Sequence, residues 1–268
     1  MPEFDPESTP KSPRWWQIEI AEVLRSQQAE LGLEDWWREP LVGVAAAADP
    51  LFLQLKQAVD SEHAMPSDLL AGARSVIVYF LPFRRSLAKE NARHGFFAAR
   101  SWATAYVQTN RLIATINTHL QERMAEVGHQ LCITPATHNF DEKKLISLWS
   151  HKHLAYIAGL GTFGHHHLII TAAGCCGRLG SVVTDCVVQP TARPDQEWCL
   201  AKAGKPCHTC VDHCQYGALH RSHFDRHACY AHLLRNDDHY PDLPTVDVCG
   251  KCACQVPCSH GIPRPATT

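Results

Sequence analysis

The 13 cysteines are spread very unevenly along the 268 residues: Cys132 is the single one before residue 175, and nine lie between Cys199 and Cys258. A thiol-rich segment must be explained by disulfides, metal or burial before any fold is drawn. The opening Met1–Pro13 is acidic and proline-rich, without a basic start or an apolar stretch, so no secretory signal is read there. The expected location is therefore a reducing cytoplasm, where clustered cysteines bind metal more often than they pair. No apolar run approaches the ~20 residues that span a bilayer, so no membrane partner is expected.

The thiol spacing is Cys199-x7-Cys207-x2-Cys210-x3-Cys214, then Cys229, then Cys249-x2-Cys252-x5-Cys258, with Cys254 inside the last loop. A Cys-x2-Cys step turns two sulfurs back on one metal centre. Eight thiolates suit two [4Fe–4S] clusters or two four-cysteine zinc sites. The run Cys207–Cys214 reproduces the last three positions of the bacterial ferredoxin pattern, and Cys199 and Cys229 stand alone rather than in zinc-type pairs. Both features favour iron–sulfur. In ferredoxins the last cysteine of one motif ligates the other cluster. By that logic Cys199, Cys207, Cys210 and Cys258 hold one cluster, and Cys214, Cys229, Cys249 and Cys252 the other. Cys254 reads as a packed or neighbouring thiol. Cys132 and Cys186 read as core, and Cys175-Cys176 as a loop pair. The stretch from Cys199 to Cys258 holds six Lys/Arg and six Asp/Glu, a neutral balance that suits an internal electron wire better than a soluble carrier.

Ahead of the cysteines the hydrophobic pattern alternates, which predicts an α/β sandwich. Helices are expected over Trp15–Leu31, from Asp49-Pro50 to Val59, briefly from Pro66, over Trp102–Met124 and over Lys144–Ala158. Strands are expected at Leu41–Ala46, Ser75–Phe80, Leu131–Thr134, Leu168–Thr171 and Gly180–Val188. The segment Ala158-Gly159-Leu160-Gly161-Thr162-Phe163-Gly164 is glycine-rich where a helix meets a strand. That order is the reverse of a dinucleotide fingerprint. It reads either as a tight connection or as a close approach to a large planar ligand. His165, His166 and His167 follow, and alternate residues of a strand would share a face.

That glycine segment, the following strands to Thr184-Asp185, and the two cysteine motifs in this order resemble the epoxyqueuosine reductase family, whose relatives include reductive dehalogenases. The resemblance covers roughly residues 41–260. It implies a nitroreductase-like α/β sandwich that cradles cobalamin, with a C-terminal ferredoxin-like module carrying two [4Fe–4S] clusters. The division expected is 1–40 as a helical extension, 41–190 as the cofactor-binding domain and 191–268 as the iron–sulfur module. Gly159, Gly161, Phe163, Gly164, His165 and Arg178 are the residues expected beside the cofactor. The family's catalytic Asp falls at about Leu145 here, with Asp141 four residues earlier, so no catalytic residue is assigned.

The function expected is a redox protein that passes electrons from the clusters to cobalamin, a reductase other than the tRNA enzyme itself. FMN in place of cobalamin, and cobalamin storage without turnover, are the alternatives. An unidentified electron donor is implied. A formal net charge of −2 supplies no broad phosphate-binding surface, so nucleic acid is not expected as a partner.

Overall fold

The structure is a computed structural model that describes residues 9–33, 36–136 and 140–264. Residues 1–8 of the expected extension and 265–268 of the expected module lie outside them. Helix α1 spans Pro13–Leu31. Ser12 opens it by accepting the Arg14 N–H, and Pro13 sits at the first position, where its missing donor costs nothing. Strand β1 (Leu41–Ala46), α2 (Pro50–Ala58, capped by Asp49), α3 (Pro66–Leu69) and β2 (Ser75–Pro82) follow. Then come α4 (Arg85–Arg93), α5 (Arg100–Glu126) and β3 (Leu131–Ile133). A small hairpin, β4 (Phe140–Asp141) and β5 (Ile146–Ser147), precedes α6 (His151–Ile157). Strands β6 (Gly161–Phe163), β7 (Ile169–Thr171) and β8 (Gly177–Thr184) complete the α/β part. The cysteine-rich part carries α7 (Thr209–Asp212) and α8 (Arg226–His239) amid turns.

The central sheet runs β1-β2-β8-β3, antiparallel throughout. Strand β2 is buried at all eight positions. Ile77, Tyr79 and Leu81 face a core shared with Trp16 and Ile20 of α1 and Ile113 and Ile116 of α5. Val76, Val78 and Phe80 face Phe52 of α2 and Leu154 of α6. The period-2 alternation of side chains therefore places helices on both faces of one sheet. Polar contacts lock α5 in place. Tyr79 OH donates to Asn117 Oδ1 at 2.7 Å, and the buried Glu19 carboxylate takes His119 at 2.7 Å and Arg123 at 3.2 Å.

Three expectations change. The helix expected over Lys144–Ala158 begins only at His151, because the chain first makes the β4–β5 hairpin. Asp141 Oδ1 accepts the N–H groups of Lys143 and Lys144 at 2.8 Å each, and Leu145 closes the turn in the left-handed region, φ 54°. The last strand runs Gly177–Thr184 rather than Gly180–Val188, since it pairs with β2 over that strand's full length, from Pro82↔Gly177 to Ser75↔Thr184. The glycine turn is in part a strand: Gly161, Thr162 and Phe163 pair with Thr171, Ile170 and Ile169. The histidines sit in the connecting turn, not on the strand.

Candidate metal centres and an adjoining cavity

All 13 cysteines are free thiols. Cys199, Cys207, Cys210 and Cys258 converge on one small pocket, walled by His165, His166 and Ile170 of the β6–β7 hairpin region. Cys214, Cys229, Cys249 and Cys252 line a second, larger cavity of about 410 Å³. Burial pushes three of these thiols up, Cys210 and Cys229 to about 12 and Cys249 to about 11. Cys252 also rises well above the usual thiol value, because it is buried and faces its sister sulfurs. Two sets of four buried or half-buried thiols outside any disulfide suit a cationic metal centre as ligands: binding it would deprotonate the sulfurs and offset their mutual repulsion. Two sulfurs already accept backbone N–H groups, Cys199 from His165 and Cys214 from Leu219, each at 3.3 Å.

Three of the five remaining thiols lie close to these groups. Cys175 lines the larger cavity, and its sulfur is 4.0 Å from Cys258 Sγ. Cys176 donates to the Ala253 carbonyl at 3.1 Å, and Cys254 is fully buried with Asn91 Nδ2 3.4 Å from its sulfur. Cys186 belongs to the core on the α1/α5 face, whereas Cys132 is half-buried on β3 against the opposite core. Hydrogen bonds from Cys175 and then His166 hold Cys258 down to about 5.

The larger cavity reaches from the second thiol group to the sheet. Trp102 and Tyr106 of α5, Phe83, Leu168 and Phe224 give it an aromatic and apolar lining, and Lys152 of α6 and Arg178 of β8 give it positive charge. Arg178 stacks over the Tyr106 ring, 4.3 Å from its centroid, and donates to Asn110 Oδ1 at 2.7 Å. Burial lowers both Arg178 and Lys152 from their ordinary values. Four buried polar atoms of this lining have no partner among the described residues: Trp102 Nε1, Arg178 Nε, Tyr216 OH and His232 Nδ1. A buried donor without an acceptor costs about 1–3 kcal/mol, and the four residues that carry these atoms all line this one cavity.

Of the residues expected beside a cofactor, Arg178 lines this cavity, and Gly159, Gly161, Phe163, Gly164 and His165 do not. The glycines make room for protein instead. A Cβ on Gly159 would lie 2.6 Å from the Ala192 carbonyl oxygen, and one on Gly164 2.3 Å from the His166 ring. Phe163 packs near His153 and Tyr156. His165 serves the first thiol group through its main chain, while its ring contacts the His220 carbonyl at 2.9 Å. Asp141 is absorbed by its own turn. Trp102, Lys152, Tyr216 and His232 were not marked by the sequence, since nothing in their spacing distinguishes them from core or surface residues. Gly250 carried a signal: its place inside Cys249-x2-Cys252, with φ 73°, lets the Trp102 indole press against that loop.

No family model matches the chain. Its sequence is similar to the epoxyqueuosine reductase of Listeria monocytogenes, 26% identical over 227 residues. That match covers 80% of this chain and 55% of the relative, so the chain spans little more than half the length of the curated protein it matches. Among solved structures, epoxyqueuosine reductase from Bacillus subtilis superposes with a TM-score of 0.53 at 16% identity, over 91% of this chain and 67% of that one. An epoxyqueuosine reductase with an epoxyqueuosine-modified tRNA-Tyr stem loop gives 0.51 at 16% identity, over 91% and 67%. The mixed α/β fold is thus shared with these enzymes. No described helix is long and apolar enough to cross a membrane.

Proposed function

We propose that this chain is an iron–sulfur redox protein that delivers electrons to a corrinoid at the 410 Å³ cavity. One [4Fe–4S] cluster is held by Cys199, Cys207, Cys210 and Cys258, the other by Cys214, Cys229, Cys249 and Cys252. The observation that carries this reading is the sorting of eight free cysteines into two groups of four, of which the second opens onto the cavity. Residues 41–190 then serve as a nitroreductase-like cofactor-binding part, 1–40 as its helical extension and 191–268 as a ferredoxin-like module. The similarity to epoxyqueuosine reductase supports a reductase-type role.

The cavity residues fit a corrinoid in two respects. Its unpartnered polar atoms suit the amide groups on the rim of such a macrocycle, and Trp102, Tyr106 and Phe83 suit its planar faces. When bound, a corrinoid supplies low-valent cobalt chemistry. The chain's own residues do the rest. Arg178, held by Asn110 and Tyr106, and Lys152 orient acceptor groups, the apolar lining excludes water, and the second thiol group, outer to the first because it opens onto the cavity, sets the point where electrons enter it.

Anaerobic purification with iron, sulfide, cobalt and flavin measured together tests the reading. The expected result is about eight iron atoms per chain and a shift of the corrin absorption bands on mixing with cobalamin. Zinc without iron, or tightly bound flavin, would replace it. The neighbour that carries a tRNA stem loop makes an epoxyqueuosine-containing stem loop the first substrate to try under reducing conditions. Turnover would make this chain a tRNA-modifying reductase, and its absence with intact cofactors would direct the search to small molecules.

A further inference from the structure

Of the three consecutive histidines, the middle one has a distinct place. His166 is buried, 4% exposed, and it lines both the inner thiol pocket and the larger cavity. Its ring is fixed from two sides. Nδ1 accepts the Leu168 backbone N–H at 3.1 Å, and Nε2 lies 3.3 Å from Cys258 Sγ. An imidazole nitrogen that accepts a hydrogen bond carries no proton, so the neutral ring must hold its proton on Nε2 and direct it at the sulfur.

The local sequence builds this arrangement. Gly164 N–H donates to the Leu168 carbonyl at 2.8 Å and His167 N–H to the Gly164 carbonyl at 3.0 Å, with His167 in the left-handed region, φ 60°. That tight turn folds the His166 ring back over Gly164, where any side chain would collide with it. The turn thus spends a glycine and a strained histidine backbone to hold one imidazole against one thiol. His165 and His167 do not share its role: His165 reaches the His220 carbonyl, and His167 stacks on Phe224 at 4.9 Å.

We infer that His166 is a positioning residue that tunes the inner cluster, raising its reduction potential through an Nε2–H···Sγ hydrogen bond to the Cys258 ligand. The physical reason is charge. Adding an electron makes the ligand sulfurs more negative, so a donor aimed at one of them stabilises the reduced state more than the oxidised one. The inference rests on the iron–sulfur reading above. It assigns one side chain of the β6–β7 turn to the electronic setting of one cluster and leaves the other cluster to its own surroundings.

The test is a potentiometric titration of the anaerobically purified full-length chain, followed by electron paramagnetic resonance. The inner signal is assigned by its alteration in Cys258→Ser. Iron and sulfide are measured first, and their absence would end the iron–sulfur reading itself. With both clusters present, His166→Phe and His166→Leu, which remove the donor, should lower the inner potential. About a tenfold change in its oxidised-to-reduced ratio at fixed ambient potential is expected, close to 59 mV for one electron. The cavity-side cluster should stay put, and His166→Gln, which keeps an N–H donor, should recover part of the shift. Inner potentials equal to wild type in both donor-free variants would overturn the inference, as would an equal shift of both clusters. If both donor-free variants fail to load the inner cluster and Gln loads it, the inner potential of His166→Gln decides: a value below wild type supports the inference, and one equal to wild type overturns it. Equal loss of the cluster in all three variants would make His166 a packing residue and overturn it.

Discussion

A Cβ on Gly161 would lie 1.9 Å from the Ile170 carbonyl oxygen, a backbone atom of the paired strand that has no room to retreat. Gly161→Ala should therefore pry β6 from β7 and cost about 2 kcal/mol or more in urea unfolding. An alanine there within a few tenths of a kcal/mol of wild type would contradict this packing. Burial, with positive charge from Lys152 and His63 nearby, lowers His153 to about 4. The free imidazole sits at about 6.5. Between those values the unfolded chain binds more protons than the folded one, so stability is complete above about pH 6.5 and is lost as pH falls toward about 4. Unfolding free energy should drop on the order of 2 kcal/mol by about pH 5, and His153→Phe should flatten that slope. A slope unchanged in the variant would place the titration elsewhere. These positions also show what could be read from sequence. Gly159, Gly161 and Gly164 announce an unusual backbone or a close approach, but only the tertiary structure says that Ala192, Ile170 and His166 are the protein groups that approach them.

Elements with a long, regular pattern were legible, and those set by a local turn were not. Helix α5 follows from apolar residues at three- and four-residue steps, and β2 from a run of β-branched and aromatic residues between turn signals. The stretch from Lys144 has helix-like composition, yet two backbone N–H groups on one Asp141 oxygen stabilise a hairpin instead, and the helix waits until His151. Asp141 thus has a structural duty at an exposed site outside the cavity lining. Asp141→Ala should cost about 1 kcal/mol or less while leaving iron content and corrin binding unchanged. Loss of reductive turnover in that variant, with cofactors intact, would instead return Asp141 to catalysis through movement of its loop. The ferredoxin rule that the last cysteine of one motif serves the other cluster sorts the sulfurs by the same two pockets that they line, and their role as ligands belongs to the proposal. The cavity lining was the least legible part of the site, since Trp102, Lys152, Arg178 and His232 come from four separate elements.

At the scale of the whole molecule, the composition break near residue 190 suggests a module able to fold by itself, and the packing argues against that. One continuous core joins Trp16, Ile77, Trp102 and Val182 to Cys199, Cys210, Leu219, Val256 and Cys258. Backbone bonds sew the parts together: Cys175 N–H to the Cys258 carbonyl at 2.9 Å, Cys176 N–H to the Ser259 carbonyl at 3.1 Å. Side chains add to the seam, with Asn236 Oδ1 accepting the Ala98 N–H at 2.7 Å and buried Lys251 held by the His94 carbonyl at 2.7 Å. A part that donates its core residues to its neighbour loses the area that would stabilise it alone. The chain should therefore unfold in a single transition that calorimetry and iron-chromophore absorption report at the same temperature. Removing iron anaerobically should lower that temperature for the α/β part as well, by several degrees, because a metal bound only by the folded state stabilises everything coupled to it. Two separated transitions, with the far-ultraviolet signal of α1 and α5 unmoved by iron removal, would show instead that residues 191–268 are an independent unit, and the shared core would then contribute little to cooperativity.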